Sequence, residues 1–184
     1  MSCFFFILFL FSPVAAEVTE SISYTTYPVK HQEGKSLLKS LNESSPIRYK
    51  GNIFHAYTSW NVYPRYRWHE KVDGSCRLTQ NVTTLTAEIT LPQLKILRGS
   101  ADTEFSRYVE NLRLHEHGHR DIGRKAARRI DEAVLQLPTM QSCPILENRV
   151  EELRRRILEE AMQEERTYDQ ATQYGRTQGA WLPR

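Results

Sequence analysis

Residues 105–137 read FSRYVENLRLHEHGHRDIGRKAARRIDEAVLQL, with apolar or small residues at Phe105, Val109, Leu112, Ala126, Ile130, Ala133 and Leu137. Steps of three and four residues put that series on one side of an α-helix. Carried through the gap, the same spacing lands on Glu116, His119 and Gly123, so the inward stripe turns polar only at its centre. The pattern predicts one long helix from about Asp102 to Leu137, with Ser100 or Asp102 capping its start and Pro138 closing its end. A polar trio in an apolar seam is costly to bury unless something satisfies it, and a metal ion would do so.

The polar centre is His115-Glu116-His117-Gly118-His119, an H-E-x-x-H pattern. Residues four apart stack one turn apart on a helix, so His115 and His119 can hold one metal ion together. Glu116 then lies beside the ion as a general base for a zinc-activated water. The pattern points to metal-assisted hydrolysis, most often of a peptide bond, with Zn2+ as cofactor. The blander reading is a chance match in which His119 is a hydrogen-bonded core histidine. His117 falls on the opposite side of the helix and reads as a solvated or outer residue, not a ligand.

Outward from the helix, the segment from Ser21 to about Leu91 is rich in Tyr, Thr, Val and Ile and reads as strands. Candidates are Ile22–Tyr27, Ile53–Tyr63 and Thr83–Leu91, with a short helix near Gly34–Leu41. Leu85, Ala87, Ile89 and Leu91 alternate as a half-buried strand should. Trp60, Tyr63, Tyr66 and Trp68 read as core and hairpin packing, with an aromatic binding strip as the other option. After the motif, Leu146, Val150, Leu153, Ile157 and Ala161 predict a second amphipathic helix from about Pro144 to Arg166, and Tyr168–Arg184 is a polar tail. Strands first and helices after argue an α+β domain: antiparallel strands, then the motif helix, then the second helix.

The termini and cysteines indicate a compartment. Phe4 to Phe11 is apolar and Val14-Ala15-Ala16 suits signal peptidase, so residues 1–16 read as a signal peptide and 17–184 as one domain. That run is far shorter than the roughly 20 apolar residues of a membrane span, and none follows it. A periplasmic or secreted protein without a transmembrane span is expected. Cys3 would leave with the leader, so Cys76 and Cys143 form the one available pair. Their bridge would close a loop of about 67 residues, worth roughly 4 kcal/mol on the chain-entropy model.

Twenty-five basic residues face 22 acidic ones, a formal charge of +3. Arg124, Lys125, Arg128 and Arg129, and again Arg154-Arg155-Arg156, are interleaved with acids at helical spacing and read as solvated faces. Nucleic acid is not expected as a partner. An anionic envelope surface is a weak one.

Several ordered segments carry a resemblance: Thr58-Ser59-Trp60, Gly74-Ser75-Cys76, Leu91-Pro92, the H-E-x-G-H helix, Leu137-Pro138 with Cys143, and Tyr168-Asp169-x-x-Thr172-x-Tyr174-Gly175 followed by Gln178-Gly179-Ala180. Together they resemble bacterial domains known as predicted secreted zinc-dependent proteases (domain of unknown function 922). The resemblance covers nearly all of residues 17–184 and implies export and a zincin-like site. The family tail commonly carries histidine where this chain has Tyr174. A zincin needs a third protein ligand, which here passes to Asp169, Tyr174, or a carboxylate such as Glu147 or Glu151. The longer H-E-x-x-H-x-x-G-x-x-H form is absent, since Ile122 and Lys125 stand at its last two positions.

These readings converge on a zinc-dependent hydrolase, a metallopeptidase acting on a peptide or protein substrate, with Thr83–Leu91 as a strand that could pair with it. The alternative is a non-catalytic envelope protein with a degenerate or structural zinc site.

Overall fold

The computed structural model describes residues 18–31, 34–94 and 100–183, without the side chains of Ser100 and Ala101. The signal peptide expected over residues 1–16 and a Ser100 side-chain cap lie outside the described residues. The elements run β1 (Val18–Val29), α1 (Leu37–Ser44), β2 (Arg48–Tyr49), β3 (Asn52–Ile53), β4 (Tyr57–Glu70), β5 (Cys76–Leu94), α2 (Ser100–Leu135) and α3 (Cys143–Thr172), then a 3-10 turn at Arg176–Gln178. This is an α+β order.

The alternating Leu85, Ala87, Ile89 and Leu91 do form a strand, and all four are buried on one face of β5. The three long strands are ordered β1-β5-β4, while β2 and β3 form a small separate pair. β5 runs antiparallel to β4 but parallel to β1, with Val18 opposite Thr83 and Val29 opposite Leu94. The sheet is therefore mixed, which corrects the expectation of antiparallel strands throughout. β4 turns back at Lys71–Ser75, and β5 inserts between it and β1, so the last strand follows the direction of the first. A second correction follows. Thr83–Leu91 is paired on both sides, so its backbone groups are not open to a substrate.

α2 lies across one face of the sheet and packs on two core clusters. Phe105, Tyr108 and Leu112 meet Val29, Leu41, Ile89 and Leu91 at one end. Ile122, Ala126, Ala127, Ile130 and Val134 meet Val62, Leu85, Val150, Ile157 and Ala161 at the other. The H-E-x-x-H turn sits between them. The predicted inward residues of α3 are all buried. The helix continues six residues past Arg166, through what reads in the sequence as polar tail, because its last inward positions carry polar groups that face α2. α1 begins later than predicted, at Leu37, after an N-cap at Ser36 whose hydroxyl accepts from the Lys39 amide at 3.3 Å.

Cys76 and Cys143 form a disulfide with Cα atoms 5.0 Å apart, joining the start of β5 to the start of α3. The basic clusters lie on solvated faces, as Arg124–Glu20, Lys125–Glu164 and Arg129–Glu160 ion pairs show. No helix among the described residues is long and apolar enough to cross a membrane.

Candidate metal centre

His115, Glu116 and His119 are buried on the side of α2 that faces α3 and β4. Asp169, one turn from the end of α3, meets the two histidines. His119 Nε2 lies 3.3 Å from His115 Nε2 and 3.1 Å from Asp169 Oδ1, and His115 Nε2 lies 3.3 Å from that oxygen. These three donor atoms are a cluster that could hold a metal ion.

The donor set fits a zinc-sized ion. Zinc bonds to nitrogen and oxygen of about 2.0–2.1 Å in a tetrahedron give ligand–ligand edges of roughly 3.3 Å, close to the spacings observed. Both imidazoles are also fixed in the tautomer a metal requires. His119 Nδ1 donates to Glu165 Oε2 at 2.8 Å, and His115 Nδ1 donates to the Gln178 side-chain oxygen at 2.9 Å. With Nδ1 engaged as a donor in each ring, it is Nε2 that faces the shared centre. The Trp60 indole donates to the other Glu165 oxygen at 3.0 Å, so β4 steadies the carboxylate that steadies His119.

Tyr168 ties these parts together. Its ring stacks on His115 at 5.1 Å between centroids, its hydroxyl donates to the His115 carbonyl at 3.0 Å, and the Gln178 amide donates to that hydroxyl at 3.0 Å. A Cβ at Gly118 would come within 2.1 Å of the Tyr168 hydroxyl, so the residue just before His119 must be glycine for this ring to seat. Gly175, at φ +82°, lets the chain leave α3 and pass close to His115.

The electrostatics suit cation binding. Burial opposes a charge on His119, but hydrogen bonds and charge from Asp169 and Glu165 outweigh it and raise its pKa to about 10. Burial would raise Asp169, yet bonds to His115 and His119 hold it at about 2. A proton therefore occupies this centre at neutral pH without a metal, and a cation binding there must displace it. Burial raises the pKa of Glu116, against a 2.7 Å bond from the Thr58 hydroxyl and the charges of both histidines.

Among the candidate third ligands, Asp169 is the one the fold brings to the histidines. Glu151 pairs with Arg154, and both Glu147 and Glu151 act on Tyr66, along the other half of α3. Tyr174 stands just past the helix at φ +54°, exposed, its ring 6.1 Å from that of Phe54. His117 bonds Tyr24 at 2.8 Å, on the β1 side of α2. Sequence reasoning missed Thr58, Trp60, Glu165, Tyr168 and Gln178 as parts of the site. All but Glu165 lie in segments that carry the resemblance. For Glu165, its signal is a position four residues before Asp169, on the same face of α3.

No curated protein and no solved structure matches the chain. A family model does, over residues 24–175, spanning α2, α3, most of the sheet and the three candidate ligands His115, His119 and Asp169. The chain belongs to the family described as bacterial protein of unknown function (DUF922).

Proposed function

We propose that this protein is an exported zinc-dependent hydrolase that cleaves a peptide or other amide bond. The observation that carries the reading is the convergence of His115, His119 and Asp169, with a buried Glu116 held beside them by Thr58. Two imidazoles and one carboxylate are a familiar catalytic zinc set, and zinc held there would act as a Lewis acid on water and on the scissile carbonyl.

The chain's own residues supply the rest. Glu116 accepts the proton of the attacking water and passes it to the leaving amine, so the C–N bond breaks as a C–O bond forms. Burial raises its pKa, which makes it a stronger base toward that proton than a solvated carboxylate. Glu165, Gln178 and Tyr168 hold the histidines in register. An extended substrate fits best beside Tyr57–Asn61, since β4 is an edge strand among the described residues and Thr58 reaches Glu116 from it. Further along that edge, Arg154 already binds the Val62 carbonyl at 3.2 Å.

Elemental analysis of purified protein is the first test, with about one zinc per chain expected and loss of it in His119→Ala. Glu116→Gln should then keep its zinc and lose about 10²–10⁴-fold in turnover of a peptide library. Undiminished hydrolysis in Glu116→Gln would end the mechanism. Absence of zinc after reconstitution would favour the non-catalytic alternative.

A further inference from the structure

Between helix and sheet lies a second buried carboxylate, one that hydrolysis does not use. Asp131 on α2 and Asn81 and Thr83 on β5 are all buried, Asp131 and Thr83 completely. Asp131 Oδ1 accepts from Asn81 Nδ2 at 2.5 Å and from the Thr83 hydroxyl at 2.8 Å. The same Asn81 nitrogen lies 3.1 Å from the Thr83 hydroxyl oxygen, which fixes the orientation of the amide. Two acceptors then have no donor among the described residues: Asp131 Oδ2 and Asn81 Oδ1. Both partners of Asp131 are neutral, and Arg128, the basic residue closest to it in sequence, is exposed. A buried carboxylate is costly without a countercharge, and each orphaned acceptor adds to the cost. The group that such a site would take is cationic and has at least two hydrogens to donate.

β1 leads to this site. Thr83 is the β5 residue directly beside Val18, and Val18 packs on the core cluster that holds Ala127 and Ile130. β1 and α2 run in opposite directions here, tied by Tyr24 to His117 at 2.8 Å and by Glu20 to Arg124 at 2.7 Å. From Glu20, three more residues toward the start of the strand cover about 10 Å and end at position 17. From Arg124, seven more residues of helix cover about 10.5 Å and end at Asp131. The chain outside the described residues therefore begins one residue before Val18, at the level of the orphaned oxygens.

We propose that the occupant is the α-amino group of Glu17, set free when the leader is cleaved after Ala16. Hydrolysis of the Ala16–Glu17 bond takes up one water and leaves a carboxylate on Ala16 and an ammonium on Glu17. That ammonium has one positive charge and three hydrogens, enough for Asp131 Oδ2 and Asn81 Oδ1 together. Before cleavage the same nitrogen is a neutral amide with one hydrogen, and Asp131 stays without a countercharge. Leader removal thus ties β1 to α2 and makes the mature chain more stable than its precursor. The inference rests on the expected cleavage position and is independent of the zinc reading.

The test compares chains that begin at Glu17 and at Ala16, each released from a cleavable fusion. Both are melted at neutral pH with a chelator present, so that the metal centre does not enter. The chain from Glu17 should melt at least about 5 °C higher, and Asp131→Asn should erase the difference between the two starts. In the folded Glu17 chain the α-amino group should react with an acylating reagent at least about tenfold more slowly than in urea. That measurement decides the matter even if Asp131→Asn does not fold. Expression with residues 1–16 attached should yield a protein whose first residue is Glu17. Equal melting of the two starts is what a buried water bridging the two acceptors would give, and it would overturn the proposal. So would a difference that survives in Asp131→Asn, an α-amino group as reactive folded as unfolded, or another first residue.

Discussion

Gly118 lies between the two histidines, and its missing side chain is what admits Tyr168. Alanine is the better helix former by about 1 kcal/mol, so an exposed Gly→Ala exchange would stabilise α2. Here the added carbon meets the Tyr168 hydroxyl and Cζ at 2.1 and 2.2 Å, and the ring cannot swing freely because it is stacked on His115. Overpacking of this kind costs about 1–3 kcal/mol, so Gly118→Ala should destabilise the fold in urea titration and weaken zinc binding. His55 makes a different single-residue prediction. It is buried, with Nδ1 accepting from Tyr108 at 2.6 Å and Nε2 donating to Asn42 at 2.8 Å, an arrangement that fits the neutral ring. Burial lowers its pKa to about 4. The unfolded chain binds the proton more readily, so this contribution is full above pH 6.5 and is lost as pH falls from 6.5 toward 4. The loss approaches about 3 kcal/mol. Unfolding titrations from pH 7.5 to 4.5 should show a shallower decline in His55→Gln than in the unaltered chain; parallel curves would refute the assignment.

At the scale of elements, what the sequence discloses depends on whether a residue's partner is local. The seam of α2 repeats every three or four residues, so Phe105 through Val134 can be read from spacing alone, as can Leu146 to Ala161 on α3. The last turns of α3 cannot. Their inward positions are Glu165, Tyr168, Asp169 and Thr172, and a polar inward face has the same appearance as a polar tail until α2 is beside it. Thr58 and Glu165 are hidden for a similar reason, since they reach partners 58 and 46 residues away. The direction of β1 is also beyond local pattern, because alternation is the same in parallel and antiparallel strands. The disulfide is a long-range constraint that was legible, from cysteine count alone. It joins the sheet to α3 where the hairpin leaves the body of the molecule. Cys76→Ser with Cys143→Ser should therefore lower stability by about 4 kcal/mol, and mild reduction should do the same. A fall in melting temperature common to both treatments, with zinc still bound before unfolding, is the expected result; unchanged melting would mean the bridge does not form.

For the whole molecule, the candidate metal centre matters because His115, His119 and Asp169 come from two helices that otherwise meet through separate contacts. α2 rests on the sheet through both core clusters, whereas α3 is held mainly by α2, the disulfide and the apolar face from Leu146 to Ala161. Beyond Ala161, its attachment passes to polar groups: Glu165 on Trp60 and His119, Tyr168 on His115, and Asp169 on both histidines. An ion bound by His115, His119 and Asp169 would close that polar half and couple α3 to the core. Binding to the native state alone stabilises it by mass action, about 2.7 kcal/mol at zinc a hundredfold above its dissociation constant. For a chain of this size that is roughly 5–10 °C in melting temperature. The rise should vanish in Asp169→Ala, which keeps both histidines but breaks the link between helices. It should persist in Glu116→Gln, which leaves the donors intact. Were Asp169→Ala to keep the full increment, the two histidines would hold the ion without α3, and the helix would owe its last three turns to Glu165 and Tyr168 instead.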